Sequence, residues 1–179
     1  MKRFGLAILA VMALVVVAAR PASAQNIRWG VGAGLLMPMG NYADFDKLGF
    51  TGGLGGTYTL PGGVGIRADL SYGTTGEKSG IGDHTTKILG GMASVVYAFG
   101  TAGPKPYVMG GLGLSNVKIS DPTGSISETK VSFGFGAGVS LPMGTGGSRL
   151  FAETRYTSVS TSGSSINFLP IVVGISFGK

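Results

Sequence analysis

The chain has 179 residues, with 14 Lys and Arg against 8 Asp and Glu, 34 glycines and a mean hydropathy of +0.36. Glycine is far above its usual share of about 7% and only 12% of residues are charged, which argues against an ordinary soluble domain. The 44% hydrophobic content excludes long disorder, and the glycines lack the three-residue period of collagen. With no cysteine and a single histidine, His84, there is no disulfide, no thiolate catalysis and no Cys- or His-rich metal cluster, and no cofactor is indicated.

The first element is an export signal. Lys2 and Arg3 precede an apolar run over residues 6–19, followed by Arg20-Pro21 and the small-residue ending Ala22-Ser23-Ala24. This predicts a signal peptide at 1–24, exported through Sec, and a mature domain at 25–179. A membrane anchor fits worse, because the run falls short of the ~20 residues that span a bilayer. Removing Lys2, Arg3 and Arg20 leaves eleven basic against eight acidic groups and lowers the net charge from +6 to +3. Half of the basicity thus belongs to the signal, and nucleic acid is not an expected partner.

Beyond residue 24 no window sustains a 3.6-residue apolar period. Segments of about ten residues instead alternate with period two between clusters of Gly, Pro, Ser, Thr and Asp. They predict strands at 27–39, 50–60, 64–73, 85–99, 106–119, 130–141, 149–159 and 166–177. Longer connections at 40–49, 74–84 and 120–129 tend to alternate with tight turns at 61–63 and 100–105, and the last pair breaks the rule, 142–148 being slightly longer than 160–165. An all-β, eight-stranded antiparallel up-and-down barrel explains both features, and export places its tight turns in the periplasm and its long loops outside. The loop charges Asp44, Asp46, Lys47, Glu77, Lys78, Asp83, Asp121 and Glu128 are expected on a solvated rim.

Which face is oily separates a membrane barrel from a soluble, lipocalin-like carrier. In the sixth strand Val131, Phe133, Phe135, Ala137, Val139 and Leu141 share one face, against Lys130, Ser132, Gly134, Gly136, Gly138 and Ser140 on the other. Charged residues fall in mid-strand, and the interior of eight strands is just wide enough for side chains to fill. Aromatic residues on the apolar face gather near strand ends: Trp29, Tyr58, Tyr97, Phe99 and Phe177 towards one rim, Phe50, Tyr72, Phe133 and Tyr156 towards the other. Two such girdles fit two membrane interfaces. The oily face is therefore expected to meet lipid, with glycines on the inner wall making room for polar side chains.

The third and seventh strands lie four apart in a ring of eight, so their inward residues face each other. Arg67 and Glu153 should sit at similar depth, with Asp69 and Arg155 one pleat higher, about 6.6 Å along the strand. Two stacked ion pairs are expected to plug the lumen, since burying such charges unpaired would cost several kcal/mol each. Structural filling is the main reading of this network, and a gate or solute site the sharper alternative.

The segments Gly-Ile-Arg-Ala-Asp-Leu-Ser-Tyr (65–72), Pro-Tyr-Val-Met-Gly-Gly-Leu-Gly (106–113), Phe-Ala-Glu-Thr-Arg-Tyr (151–156) and Val-Gly-Ile-Ser-Phe (173–177) resemble small bacterial outer-membrane β-barrel proteins. These are often labelled porin family and are related to the OmpA transmembrane domain and OmpX. The resemblance covers the whole mature chain and implies a Gram-negative outer membrane, insertion by the barrel-assembly machinery and inward ionic networks of the kind matched at Arg67, Asp69, Glu153 and Arg155. Such proteins commonly finish on an aromatic assembly signal, whereas here Gly178 and Lys179 follow Phe177.

The remaining chemistry is sparse. There is no G-x-G-x-x-G, and the one Gly-Lys pair ends the chain, so no phosphate loop is present. Asp83-His84-Thr85-Thr86 at the outer rim could supply a general base, but the small lipid A deacylases carry His-x-Ser where this chain has Thr86, and a non-enzyme is expected. Calcium-loop spacing is absent. The expectation is a monomeric barrel with a filled lumen, surrounded by outer-membrane lipid and lipopolysaccharide and serving envelope integrity or surface interaction. A narrow small-solute channel and a lipid A-modifying enzyme are the alternatives.

Overall fold

The computed structural model describes residues 27–77, 85–100, 102–122, 124–144, 146–161 and 164–178. The expected signal peptide at 1–24, Lys78, and the Asp83-His84 pair lie outside them. Eight strands form one closed antiparallel barrel in chain order: β1 (Ile27–Met39), β2 (Gly49–Thr59), β3 (Val64–Gly76), β4 (Thr85–Ala98), β5 (Lys105–Asp121), β6 (Gly124–Pro142), β7 (Arg149–Thr161) and β8 (Ser164–Phe177). Each strand hydrogen-bonds its sequence neighbours, and β1 closes the ring on β8 from Trp29↔Phe177 to Met39↔Asn167. Followed once around the ring, the register returns to β1 displaced by about ten residues, which corresponds to strands tilted roughly 40° from the axis.

Alternation decides which side chains point where. On β6 the odd residues Val131, Phe133 and Phe135 are exposed on the outer wall, while Ser132 and Gly134 between them are buried. On β8 Ile171, Val173, Ile175 and Phe177 are exposed, and Phe168 and Ser176 turn inward and are buried. The outside of the barrel is thus a continuous oily belt on a closed ring of paired strands, and the inside is small, polar or charged over much of its length. A hydrocarbon solvent selects this arrangement, because a closed sheet leaves no unpaired backbone edge and apolar side chains lose nothing by facing lipid. Among the described residues no helix is long and apolar enough to cross a membrane, which leaves a crossing by strands open.

The connections after β2, β4 and β6 lie at one end of the barrel, the turn end, the first of them through Pro61–Gly63. Gly62 and Gly63 have φ of 85° and 83°, so the first of these turns needs residues without a Cβ. At the opposite loop end a four-residue helix α1 (Tyr42–Phe45) folds over the rim between β1 and β2. One expectation is corrected here. The 120–129 segment is not a long loop, since β5 and β6 stay paired from Lys105↔Ser140 to Asp121↔Gly124 and run 17 and 19 residues. With about 10 residues needed to cross the hydrocarbon, the ribbon rises roughly 20 Å beyond it along the strand. Above a membrane both faces of a ribbon meet water, so apolar alternation lapses and the sequence reads as loop; Asn116, bonded to Thr129 and Ser127, holds the two strands together there.

The barrel lumen as candidate functional site

β3 carries Arg67 and Asp69 two residues apart, β7 carries Glu153 and Arg155 likewise, and closure of the ring sets the two strands opposite each other. Arg67 grips Glu153 with a fork, Nη1 donating to Oε2 at 2.7 Å and Nη2 to Oε1 at 3.2 Å. Its Nε donates to Asp69 Oδ1 at 2.6 Å. Arg155 Nη2 donates to Asp69 Oδ2 at 3.1 Å and lies 3.8 Å from Glu153 Oε1. The four charges therefore close a cycle rather than forming two separate stacked pairs. The reason is reach: same-face neighbours on a strand are about 6.6 Å apart, a gap that an arginine side chain spans. Side-chain accessibilities of 9–16% leave the group neutral overall and largely dry, where pairing is a condition of burial.

Sequence reasoning missed the residues that hold this cycle in place. Tyr107 on β5 donates its phenol proton to Glu153 Oε2 at 2.8 Å. The sulfurs of Met92 and Met109 stand 3.4 and 3.1 Å from the Arg155 nitrogens, and the Phe151 ring lies 6.0 Å from the Arg67 guanidinium carbon. The available signal was glycine opposite a large inward residue. A Cβ on Gly138, the register partner of Tyr107, would come within 2.5 Å of the Tyr107 ring. At Gly174, partner of Phe151, it would meet that ring at 2.5 Å.

Towards the loop end the lumen changes character. Leu36, Ile88, Val117, Val159 and Phe168 form a buried apolar layer, with Tyr42 and Ile166 packed against it; Leu36 is 2% and Val159 0% exposed. A cavity of about 100 Å³ borders this layer and the ionic cycle. α1 lowers Tyr42 onto the layer, where its hydroxyl lies 2.6 Å from Thr75 Oγ1. Thr75 in turn donates to the Asp46 carboxylate, so Tyr42 must be the donor to Thr75. Burial pushes the Tyr42 phenol well above its ordinary pKa. Asp46 and Glu77 are not solvated loop charges: they form a bridge between chain segments and are 2% and 8% exposed. The 40–48 connection folds down onto the rim, where Lys47 N bonds Gly76 O, and a loop's charge pattern alone does not reveal such docking.

Of the aromatic residues singled out from sequence, Trp29, Tyr58, Tyr97, Phe99 and Phe177 are exposed on the outer wall near the turn end, with Tyr97 and Phe99 in edge-to-face contact at 4.9 Å. Phe50, Tyr72 and Phe133 are likewise exposed. Tyr156 differs: it is half-buried, with its ring 5.4 Å from that of Phe135, itself outward and 60% exposed.

A second cavity, of about 360 Å³, occupies the turn end on the other side of the ionic cycle. Arg28 and Arg149 line it and donate to turn carbonyls at Gly147 and Gly103 respectively.

Comparison with known proteins agrees with this geometry. Neisserial surface protein A is 18% identical, with a TM-score of 0.63 over 86% of this chain and 97% of its own. The N-terminal β-barrel domain of Pseudomonas aeruginosa OprF is 19% identical, with a TM-score of 0.54 over 86% and 98%. Ail, the attachment invasion locus protein of Yersinia pestis, is 18% identical, with a TM-score of 0.51 over 84% and 96%. At such identities the likeness is one of fold. No curated protein sequence matches. The family model of the outer membrane protein β-barrel domain matches residues 8–177. The chain belongs to that family, and its place is the bacterial outer membrane.

Proposed function

We propose that this protein is a non-catalytic, monomeric barrel with a closed lumen, exported through Sec after loss of residues 1–24, inserted by the barrel-assembly machinery, and serving envelope integrity or contact at the cell surface. The observation that carries this reading is double closure. The Arg67–Glu153–Arg155–Asp69 cycle fills mid-lumen, and the layer around Leu36, Val159 and Phe168 seals the loop end beneath Tyr42. A conducting path would have to open both an ionic and an apolar barrier. Small barrels of this family carry short turns on the periplasmic side and present the other end outward, so among the described residues the long β5–β6 ribbon reaches furthest from the cell.

The test is single-channel recording in planar bilayers. The purified barrel should give no steps above the lipid baseline, and stable steps would establish the narrow-channel alternative. For the catalytic alternative, the chemistry of lipid A from cells expressing the protein should be unchanged; loss or gain of an acyl chain would establish an enzyme.

A further inference from the structure

The turn-end cavity joins three cations on a route that the register makes explicit. Lys105 pairs across to Ser140. The Ser140 hydroxyl and carbonyl both accept from Arg149, at 2.7 Å each. Arg149 pairs with Ser176, whose other neighbour is Gly30, two residues from Arg28. Arg28, Lys105 and Arg149 all line the same cavity, and Arg67 of the ionic cycle borders it as well. Among the described residues lining it there is no Asp or Glu. The nearby acids Asp69 and Glu153 are already engaged by Arg67 and Arg155.

The acceptors of this region are neutral. Arg28 Nη1 donates to Gly147 O at 2.7 Å, and Arg149 uses Nη2 on Gly103 O and Ser140 O. Lys105 makes no side-chain hydrogen bond to any described residue, so pinning the turns does not account for it. Like charges gathered in a concave site with low-dielectric walls repel one another and focus a positive potential into the cavity. Carbonyls hold two of the head groups in fixed positions without cancelling their charge. Guanidinium and ammonium groups so arranged match a compact oxyanion with several acceptor atoms. The volume of about 360 Å³ corresponds to about twelve waters at about 30 Å³ each, enough for phosphate or a small phosphomonoester with part of its hydration shell.

We propose that this periplasm-facing vestibule binds a phosphate-class oxyanion through Arg28, Lys105 and Arg149. The anion can come from free phosphate or from an anionic phospholipid headgroup at the inner-leaflet surface, and the experiment separates the two. The barrel folded in a nonionic maltoside detergent is titrated with sodium phosphate, and separately with chloride at matched ionic strength, while backbone amide shifts of Gly103, Ser140 and Gly147 are followed by NMR. Phosphate should give a saturable shift at these amides and chloride none.

Lys105→Gln and Arg28→Gln should each weaken the response about tenfold or more, the scale of one charge-assisted hydrogen bond. Lys87→Gln, near the loop end, should leave it unchanged. Heat-dependent gel mobility verifies folding, and Lys105→Gln carries the test if Arg28→Gln fails to fold, because Lys105 has no described bond to lose. In a second arm, phosphatidylglycerol nanodiscs are compared with phosphatidylcholine nanodiscs without added phosphate. The same shifts in phosphatidylglycerol alone would identify a headgroup as the source, and shifts seen solely with free phosphate would identify a soluble anion. The proposal is overturned if neither phosphate nor phosphatidylglycerol gives a saturable shift, if chloride does as well as phosphate, or if Lys105→Gln binds like the parent.

Discussion

Reversing Arg67 perturbs the lumen at its most connected point. Arg67 makes three hydrogen bonds to two carboxylates, in a group whose side chains are at most 16% accessible. Neutral removal, Arg67→Met, leaves Asp69 and Glu153 to share Arg155 and should cost about 3–5 kcal/mol, the range for breaking one partner of a buried pair. Against a typical total stability of 5–15 kcal/mol that is a large fraction, and Arg67→Glu should cost more. The double change Arg67→Glu with Glu153→Arg rebuilds the cross-lumen fork, yet it sets a glutamate beside Asp69 and an arginine beside Arg155. A closed cycle therefore predicts partial rescue, with a coupling of about 2 kcal/mol, inside the usual range for contacting residues. Inverting all four charges should recover the remainder. Urea unfolding followed by heat-dependent gel mobility and by the fluorescence of Trp29, the sole tryptophan, measures each variant. Strict additivity of the two single reversals would show that β3 and β7 do not meet across the lumen, and full rescue by the double change would show two independent pairs instead of a cycle.

Gly138→Ala places a methyl group against the Tyr107 ring and should destabilise by about 1–3 kcal/mol in the same unfolding assay. Val173→Arg puts a charge on the lipid-facing wall, where Val173 is 59% exposed, and should cost roughly 2–4 kcal/mol in bilayers. Tyr42 gives a pH signature. Burial raises its phenol pKa in the folded chain, so above about pH 10 the unfolded chain releases the proton while the folded one keeps it, and stability falls as pH rises. Tyr42→Phe should flatten that alkaline slope, as read from unfolding midpoints between neutral and alkaline pH; an unchanged slope would mean that the phenol is not buried.

The strands that cross the membrane were legible because period-two alternation is enforced there: Phe133 must face lipid and Ser132 must not. The same enforcement made the opposition of Arg67 and Glu153 readable from strand number and turn distance alone. Legibility failed where the solvent stops discriminating. Residues 120–129 have water on both faces, and Ile126, 73% exposed, sits in an inward register with no lumen wall opposite, so the strand continues without the pattern that announces one. It failed also where a long side chain reaches across layers. Tyr107 lies beside apolar Val108 and Met109 and reads as one more apolar-strand residue; its bond to Glu153, two strands away, depends on the facing glycine Gly138 on the intervening strand β6. The docking of α1 was hidden for a related reason, since the burial of Asp46 and Tyr42 depends on a loop conformation that neither residue specifies.

The central claim is the direction of the two faces, and it can be read by placing one spin label at a time on this naturally cysteine-free chain. Single cysteines replacing Leu112, Phe133 or Val173 on the outer wall and Ser94 or Ser115 on the inner wall are labelled in the folded barrel and reconstituted in bilayers. The first three should collide readily with dissolved oxygen, which concentrates in the hydrocarbon, and show little access to a water-soluble nickel chelate, while the inner pair should be protected from oxygen. High oxygen access at Ser94 and Ser115 with none at Phe133 and Val173 would contradict the account.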